Sequence, residues 1–262
     1  MALYALGDLH LAFQRPDKSM DAMGPVWVHH EEKVWKNCQE LVKPEDTLVL
    51  LGDHSWGRKL PQCQKDLEFI AALPGRKILL RGNHDMFWEA QKTEALNERY
   101  AGKLFFLQNN FATYGDYALV GTKGFTFEGP FLINRFTGEV LSWDEEAEKH
   151  ARKLVNREAQ RLEESFEKAR AAGYRKFIML LHYPPTSILE EDSVFTRMAE
   201  QYGARQVIYA HCHGENTFDD SYRGEHNGVY YRLVCTCQQK LDTKLKKSGI
   251  KNESMYKIHQ LF

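Results

Sequence analysis

Five short apolar runs recur along the chain, and each hands over to polar residues able to bind a metal or carry a proton. Leu3-Tyr4-Ala5-Leu6 leads into Gly7-Asp8-Leu9-His10, and Thr47-Leu48-Val49-Leu50-Leu51 into Gly52-Asp53-His54. Lys77-Ile78-Leu79-Leu80 leads into Arg81-Gly82-Asn83-His84-Asp85. Phe177-Ile178-Met179-Leu180-Leu181 ends at His182, and Val207-Ile208-Tyr209-Ala210 at His211-Cys212-His213. Runs of this length bounded by turn formers predict buried strands. Glycine lets the backbone turn sharply where a strand emerges, so the polar side chains collect at the strands' carboxyl ends. In open α/β sheets that is where ligands bind.

Between the runs the period changes. Val34, Trp35, Cys38, Leu41 and Val42 fall at helical spacing and predict a helix over 31–42, ended by Pro44. Leu67, Phe69, Ile70 and Leu73 predict a second over 65–73, stopped by Pro74-Gly75. Strand, helix, strand, helix, strand indicates an α/β fold with a parallel sheet. A helix is expected over 87–100, then strands over 104–107 and 117–121. Residues 122–143 interleave Phe125, Phe127, Phe131, Phe136 and Trp143 with Gly124, Gly129, Pro130 and Gly138, which reads as an aromatic loop. A long amphipathic helix over 144–172 carries Ala151, Leu154, Val155, Leu162 and Phe166 on one stripe. A short helix over 193–202 links the last two of the five runs, and a final strand is expected over 229–235. Residues 11–28, interrupted by Pro16, Gly24 and Pro25, form a long loop beside the first polar pair, and loops of that length are more often functional than decorative.

At 262 residues and 43% hydrophobic content the chain can bury a large core. A single domain over 1–262 is expected, with 122–172 a cap loop and long helix within it, because the polar clusters span positions 8 to 213. A formal charge of −1 and a pI near 6.8 supply no global attraction for nucleic acid or anionic lipid. The lysines at 240, 244, 246, 247 and 251 read as a solvated surface before a nucleic-acid patch. No apolar run approaches the roughly 20 residues of a membrane span, and the chain opens directly into a strand. Cys38, Cys63, Cys212, Cys235 and Cys237 include no CxxC and suit a reducing compartment. Cytoplasmic localisation without a membrane partner is the expectation.

The polar clusters supply Asp8, His10, Asp53, Asn83, His182, His211 and His213. A mixed oxygen and imidazole set suits manganese, iron, zinc, cobalt or nickel better than calcium or magnesium. One mononuclear catalytic site takes about three protein ligands. Seven fit two ions if one carboxylate is shared. Cys212 alternates with its neighbours and is expected in the core. His29 and His30 are expected to be exposed at a helix start, while His150, His226 and His259 have no supporting pattern. His54 is open between facing substrate and packing.

In their order, Gly7-Asp8-Leu9-His10, Gly52-Asp53, Gly82-Asn83-His84-Asp85, His182 and His211-Cys212-His213 resemble the calcineurin-like metallophosphoesterase superfamily from Ala2 to residue 214. The resemblance implies two packed mixed β-sheets flanked by helices, an αββα sandwich. It assigns Asp8, His10 and His213 to one ion, Asn83, His182 and His211 to the other, and Asp53 to both. The implied cofactors are two divalent transition-metal ions, manganese first, with iron or zinc as alternatives. Such a pair activates a bridging hydroxide for in-line attack at phosphorus. His84 matches the family's catalytic histidine as general acid, and Asp85 would orient its imidazole. The expected enzyme is a metal-dependent phosphoesterase acting on a small-molecule phosphomonoester or phosphodiester. The alternatives are a nuclease of the same family and a metal-bearing protein-interaction scaffold. Two departures stand out. Gly52-Asp53-His54-Ser55-Trp56-Gly57-Arg58 lacks the continuation typical of Ser/Thr protein phosphatases, and Ala210 stands where glycine commonly precedes the last His-x-His.

Overall fold

The apolar runs form strands because both of their faces are covered. The computed structural model describes residues 1–126, 131–133, 139–186, 192–213, 222–236 and 259–260. β1 (Leu3–Leu6), β2 (Thr47–Leu51), β3 (Arg76–Leu80) and β4 (Leu104–Leu107) are parallel neighbours in that order. The connecting helices are α1 (His30–Leu41), α2 (Gln64–Ala72) and α3 (Thr93–Arg99). Alternation within each strand sorts side chains to two sides. Tyr4, Leu6, Leu48, Leu50 and Leu79 meet Val34, Cys38, Leu67, Ile70 and Leu96 of the helices. Leu3, Ala5, Val49, Leu51, Ile78 and Leu80 face the other way, into a second sheet.

That second sheet begins with the hairpin of β5 (Phe111–Tyr114) and β6 (Tyr117–Thr122). After the antiparallel pair β7 (Phe131–Ile133) and β8 (Val140–Trp143) comes α4 (Glu145–Ala171). β9 (Lys176–Leu181), α5 (Val194–Gln201), β10 (Ala204–Tyr209), β11 (Gly224–His226) and β12 (Val229–Leu233) follow. The order is β11-β12-β10-β9-β6-β5, with β6, β9, β10 and β12 parallel. β13 (His259–Gln260) adds an antiparallel edge to β1. Leu119, Ile178, Leu180 and Ile208 pack against the first sheet, while Val120, Met179 and Val207 pack outward on Val155, Leu162, Phe166 and Phe195 of α4 and α5. Helices, sheet, sheet, helices is the expected layering, and it brings the carboxyl ends of β1, β2, β3, β9 and β10 to one edge.

Several elements differ from expectation, the short edge strands β11 and β13 among them. The helix foreseen over 87–100 starts only at Thr93, after a 3-10 turn at Ala90–Lys92. Trp88 is fully buried and its Nε1 donates to Thr93 Oγ1 at 3.0 Å, which holds the chain inward and delays the helix. β5 was not foreseen; its four residues are mostly half-buried and carry no continuous apolar run. The segment read as an aromatic loop contains the β7–β8 ladder, with Leu132, Val140, Leu141 and Trp143 exposed. Phe127, Gly129, Pro130, Phe136, Gly138, Cys237 and the lysines of 240–251 lie outside the described residues. Among the described residues Cys38, Cys63, Cys212 and Cys235 form no disulfide, and no helix is long and apolar enough to cross a membrane.

Candidate metal centre

The polar clusters meet because their turns interlock. Asp8, His10, Asp53 and His211 adopt left-handed backbone, with φ of 61°, 45°, 54° and 68°. Non-glycine residues held there cost on the order of 1–3 kcal/mol each and tend to gather at active sites. Backbone hydrogen bonds hold the turns together: Asp8 N–H donates to Gly52 C=O (3.1 Å), His10 N–H to Asp53 C=O (2.7 Å) and Ala210 N–H to His182 C=O (3.1 Å).

The glycines mark where one turn passes through the space another's side chain would need. A Cβ on Gly52, itself at φ +90°, would sit 2.5 Å from His182 Nδ1. One on Gly82 would overlap the backbone nitrogen and carboxylate of Asp53, and one on Gly7 would overlap Ala210 Cβ. The last pair explains the alanine at 210: its methyl occupies the room that Gly7 leaves.

Two groups of ligand atoms result. Asp8, His10, Asp53 and His213 each offer an atom within 4.8 Å of the others, and so do Asp53, His182 and His211, with Asp53 in both. Asn83 Oδ1 lies 2.7 Å from His182 Nε2, beside the second group. His182 Nδ1 faces the Leu51 carbonyl at 2.8 Å and donates to it, which leaves Nε2 as a lone pair directed at Asn83 Oδ1 and, at 3.4 Å, Asp53 Oδ2. In the other group His10 Nε2 is 3.1 Å from His213 Nε2 and 3.7 Å from Asp53 Oδ2. Asp53 Oδ2 is buried with no hydrogen-bond partner. Acceptors converging on one another, with an unsatisfied carboxylate oxygen between them, form the kind of cradle that a cation completes. The residues present therefore fit a pair of metal ions.

The local electrostatics point the same way. Burial opposes the charge on Asp53, but His182, His10 and the His84 N–H together hold its carboxyl well below the usual range. Burial, reinforced by the neighbouring His213, His84 and His182, pushes His10 well down. Burial also lowers His211, to about 3, helped by His182. His182 is the exception. Burial lowers it, and Asp53, Asp8 and the Leu51 carbonyl more than offset that, so it ends raised.

His84 is half-buried beside the cradle, its N–H donating to Asp53 Oδ1 at 2.8 Å and its ring 4.4 Å from Trp56 and 5.5 Å from His10. Asp85 has a different position from the one expected of a partner to that ring. Its buried carboxylate accepts the N–H groups of Asp53 (2.9 Å), His54 (2.8 Å) and Gly82 (2.7 Å), and so ties the β2 turn to the β3 turn. His54 is fully buried with Nε2 on the Leu80 carbonyl at 2.9 Å, which settles it as packing. His29 is exposed, but His30 is not. It is 4% exposed, with its ring nitrogens on the carbonyls of Leu9 (2.7 Å) and Trp27 (3.1 Å), because the 11–28 loop folds back over α1. Cys212 packs against the outer core of the second sheet, as expected.

Aromatic side chains to which the sequence pattern assigned no role complete the rim. Trp56 stacks on His10 at 4.9 Å, Trp27 lies edge-on to His10 and His213, and Tyr183 packs on His211 at 4.3 Å. A tryptophan three residues after Asp53 and a tyrosine directly after His182 were the available signals.

A family model described as calcineurin-like phosphoesterase matches residues 1–215. No curated protein matches the chain. Among solved structures it is similar to the phosphopantetheinyl hydrolase PptH of Mycobacterium tuberculosis, at 15% identity and a TM-score of 0.52, covering 100% of this chain and 95% of that one. It is also similar to the calcineurin-like phosphoesterase YfkN of Bacillus subtilis, at 16% identity and a TM-score of 0.41, covering 89% and 81%. A third similar structure is the protein of unknown function AQ665 of Aquifex aeolicus, at 20% identity and a TM-score of 0.34, covering 70% and 80%. The first of these likenesses supports the two-sheet fold.

Proposed function

From the premise that this chain belongs to the calcineurin-like phosphoesterase family of metal-dependent hydrolases, we propose that it cleaves a phosphomonoester or phosphodiester at a binuclear centre. Asp8, His10 and His213 would hold one ion, Asn83, His182 and His211 the other, and Asp53 would be shared. The observation that carries this reading is the pair of ligand groups with Asp53 common to both. When bound, two such ions activate water and neutralise the phosphoryl oxygens.

The chain's own residues do the rest. The proton the leaving oxygen needs comes from His84, whose ring is half-buried at the rim, so that it meets both substrate and solvent. Trp56 packs against that ring and limits its rotation. Asp85 positions the backbone of Asp53, His54 and Gly82, and so acts on the reaction through the shape of the β2 and β3 turns.

Replacing His84 with Ala tests the proton-donor role. Metal content by elemental analysis should stay at the wild-type level while turnover falls about 10²- to 10⁴-fold; unchanged turnover removes the role. Aryl phosphate, aryl phosphodiester, cyclic nucleotide and single-stranded DNA, offered in parallel to manganese-loaded protein, separate monoesterase, diesterase and nuclease activity.

A further inference from the structure

Beside the cradle lies a concentration of positive charge that the ligand set does not use. Arg81 leaves β3 two residues before Asn83, and Lys123 follows β6. The two strands belong to different sheets but meet at their ends, where a Cβ on Gly121 would stand 3.0 Å from Leu80 Cδ1. Arg157 and Arg161 of α4 stand near enough to act on the charge of both. The carboxylates near them are already taken: Asp85 accepts three backbone N–H groups, and Glu158, fully buried, has Arg161 donating to it at 2.6 Å, Arg157 3.4 Å away and Thr122 Oγ1 donating at 2.5 Å.

Arg81 and Lys123 are left over. Among the described residues neither forms an ion pair, and Arg81 Nε is buried without a hydrogen-bond partner. Both are desolvated, which works against their charge; Asp85 and then Glu158 favour the charge on Arg81, Glu158 favours that on Lys123, and Arg157 and Arg161 oppose both. Lys123 is tied to the site through its backbone, since its carbonyl accepts the N–H groups of His182 (3.1 Å) and Tyr183 (2.9 Å). Its ammonium stands 5.4 Å from the Tyr183 ring, which in turn covers His211. A sheltered cation that forms no ion pair, and whose neighbouring carboxylates Asp85 and Glu158 are already engaged by other donors, costs stability. Such groups are kept where a ligand completes them.

We propose that Arg81 and Lys123 form an anion subsite that takes a second phosphate group of the substrate, next to the phosphoryl group held at the metal centre. The inference rests on the hydrolase reading for what occupies the neighbouring site, but the subsite itself consists of residues that bind no metal. A planar guanidinium fork beside an ammonium suits the three oxygens of a terminal phosphate. The substrate class is then a phosphoester carrying a further anionic phosphate, in preference to one with a neutral leaving group.

Two measurements test it. Inorganic phosphate is titrated calorimetrically into metal-stripped protein at low ionic strength. Binding that weakens at least tenfold in Arg81→Gln and in Lys123→Gln, with partial recovery in Arg81→Lys, supports the subsite. Absent binding, or equal binding in the variants, overturns it. The melting temperature guards against misfolding: removing a sheltered cation that forms no ion pair should raise it by about 2–4 °C, whereas a structural Arg81 would lower it. In manganese-loaded enzyme the preference for a bisphosphate over a monophosphate of the same alcohol should fall at least tenfold in both variants. Turnover with an unchanged preference removes the subsite and keeps the hydrolase. Phosphate binding through Arg81 and Lys123 without any turnover keeps the subsite and removes the hydrolase.

Discussion

Gly82 shows what a single position contributes here. Its backbone is not left-handed, so conformational freedom is not the reason for glycine. Room is the reason: any Cβ there runs into the Asp53 backbone and carboxylate, both fixed by Asp85 and by the His84 N–H. Gly82→Ala should therefore displace the shared ligand. The expected outcome is a loss of about 1–3 kcal/mol in urea unfolding of the metal-stripped protein, from overpacking, together with a clear drop in metal bound at equilibrium. Wild-type uptake in that variant would mean the turn yields easily. The metal-capable side chains and their spacing were legible in the sequence because each followed an apolar run. What the side chains touch was not. Asp85 spends its oxygens on three backbone groups, and His30 is buried by a loop that approaches from elsewhere in the chain. Both facts depend on which turns come together in space, which local sequence does not encode.

At the level of elements, the strands of the two sheets were readable because burial on both faces removes polar positions and leaves a continuous apolar run. β5 and the β7–β8 pair lack that signature, and turn formers around them read as loop. α4 was readable for the opposite reason, since one face only is buried. Its start is fixed by Asp144, whose side chain accepts the N–H groups of Glu146 and Ala147, both at 3.0 Å. Its hold on the second sheet centres on Phe166, fully buried, 4.2 Å from the Tyr202 ring and 5.3 Å from Phe177. Phe166→Ala should cost about 3–5 kcal/mol in equilibrium unfolding, the range for deleting a large core side chain. Phe166 faces the outer core of that sheet, on the side away from the packed sheet interface. The folded fraction should accordingly take up metal as the wild type does, and a variant that loses metal affinity without losing stability would show α4 acting on the site directly.

Across the whole molecule the cradle joins both sheets: Asp8, His10, Asp53 and Asn83 come from the first, and His182, His211 and His213 from the second. No unfolded chain holds residues 8 and 213 together, so an ion bound there binds the folded state alone. Each site filled at a hundred times its dissociation constant then adds about 2.7 kcal/mol, and at about 2–4 °C per kcal/mol two sites should raise the melting temperature on the order of 10 °C. Chelation should remove that increment and manganese restore it, with magnesium and calcium less effective on a set this rich in imidazole. The shared carboxylate makes the variants unequal. His213 belongs to one ligand group and His211 to the other, so His213→Ala and His211→Ala should each lose one equivalent of metal and about half of the thermal increment. Asp53 belongs to both, so Asp53→Asn should lose both equivalents and nearly all of it. Equal stoichiometry in the three variants would mean that the two ligand groups close around a single ion, and the binuclear reading would fall while the fold that assembles the cradle stands.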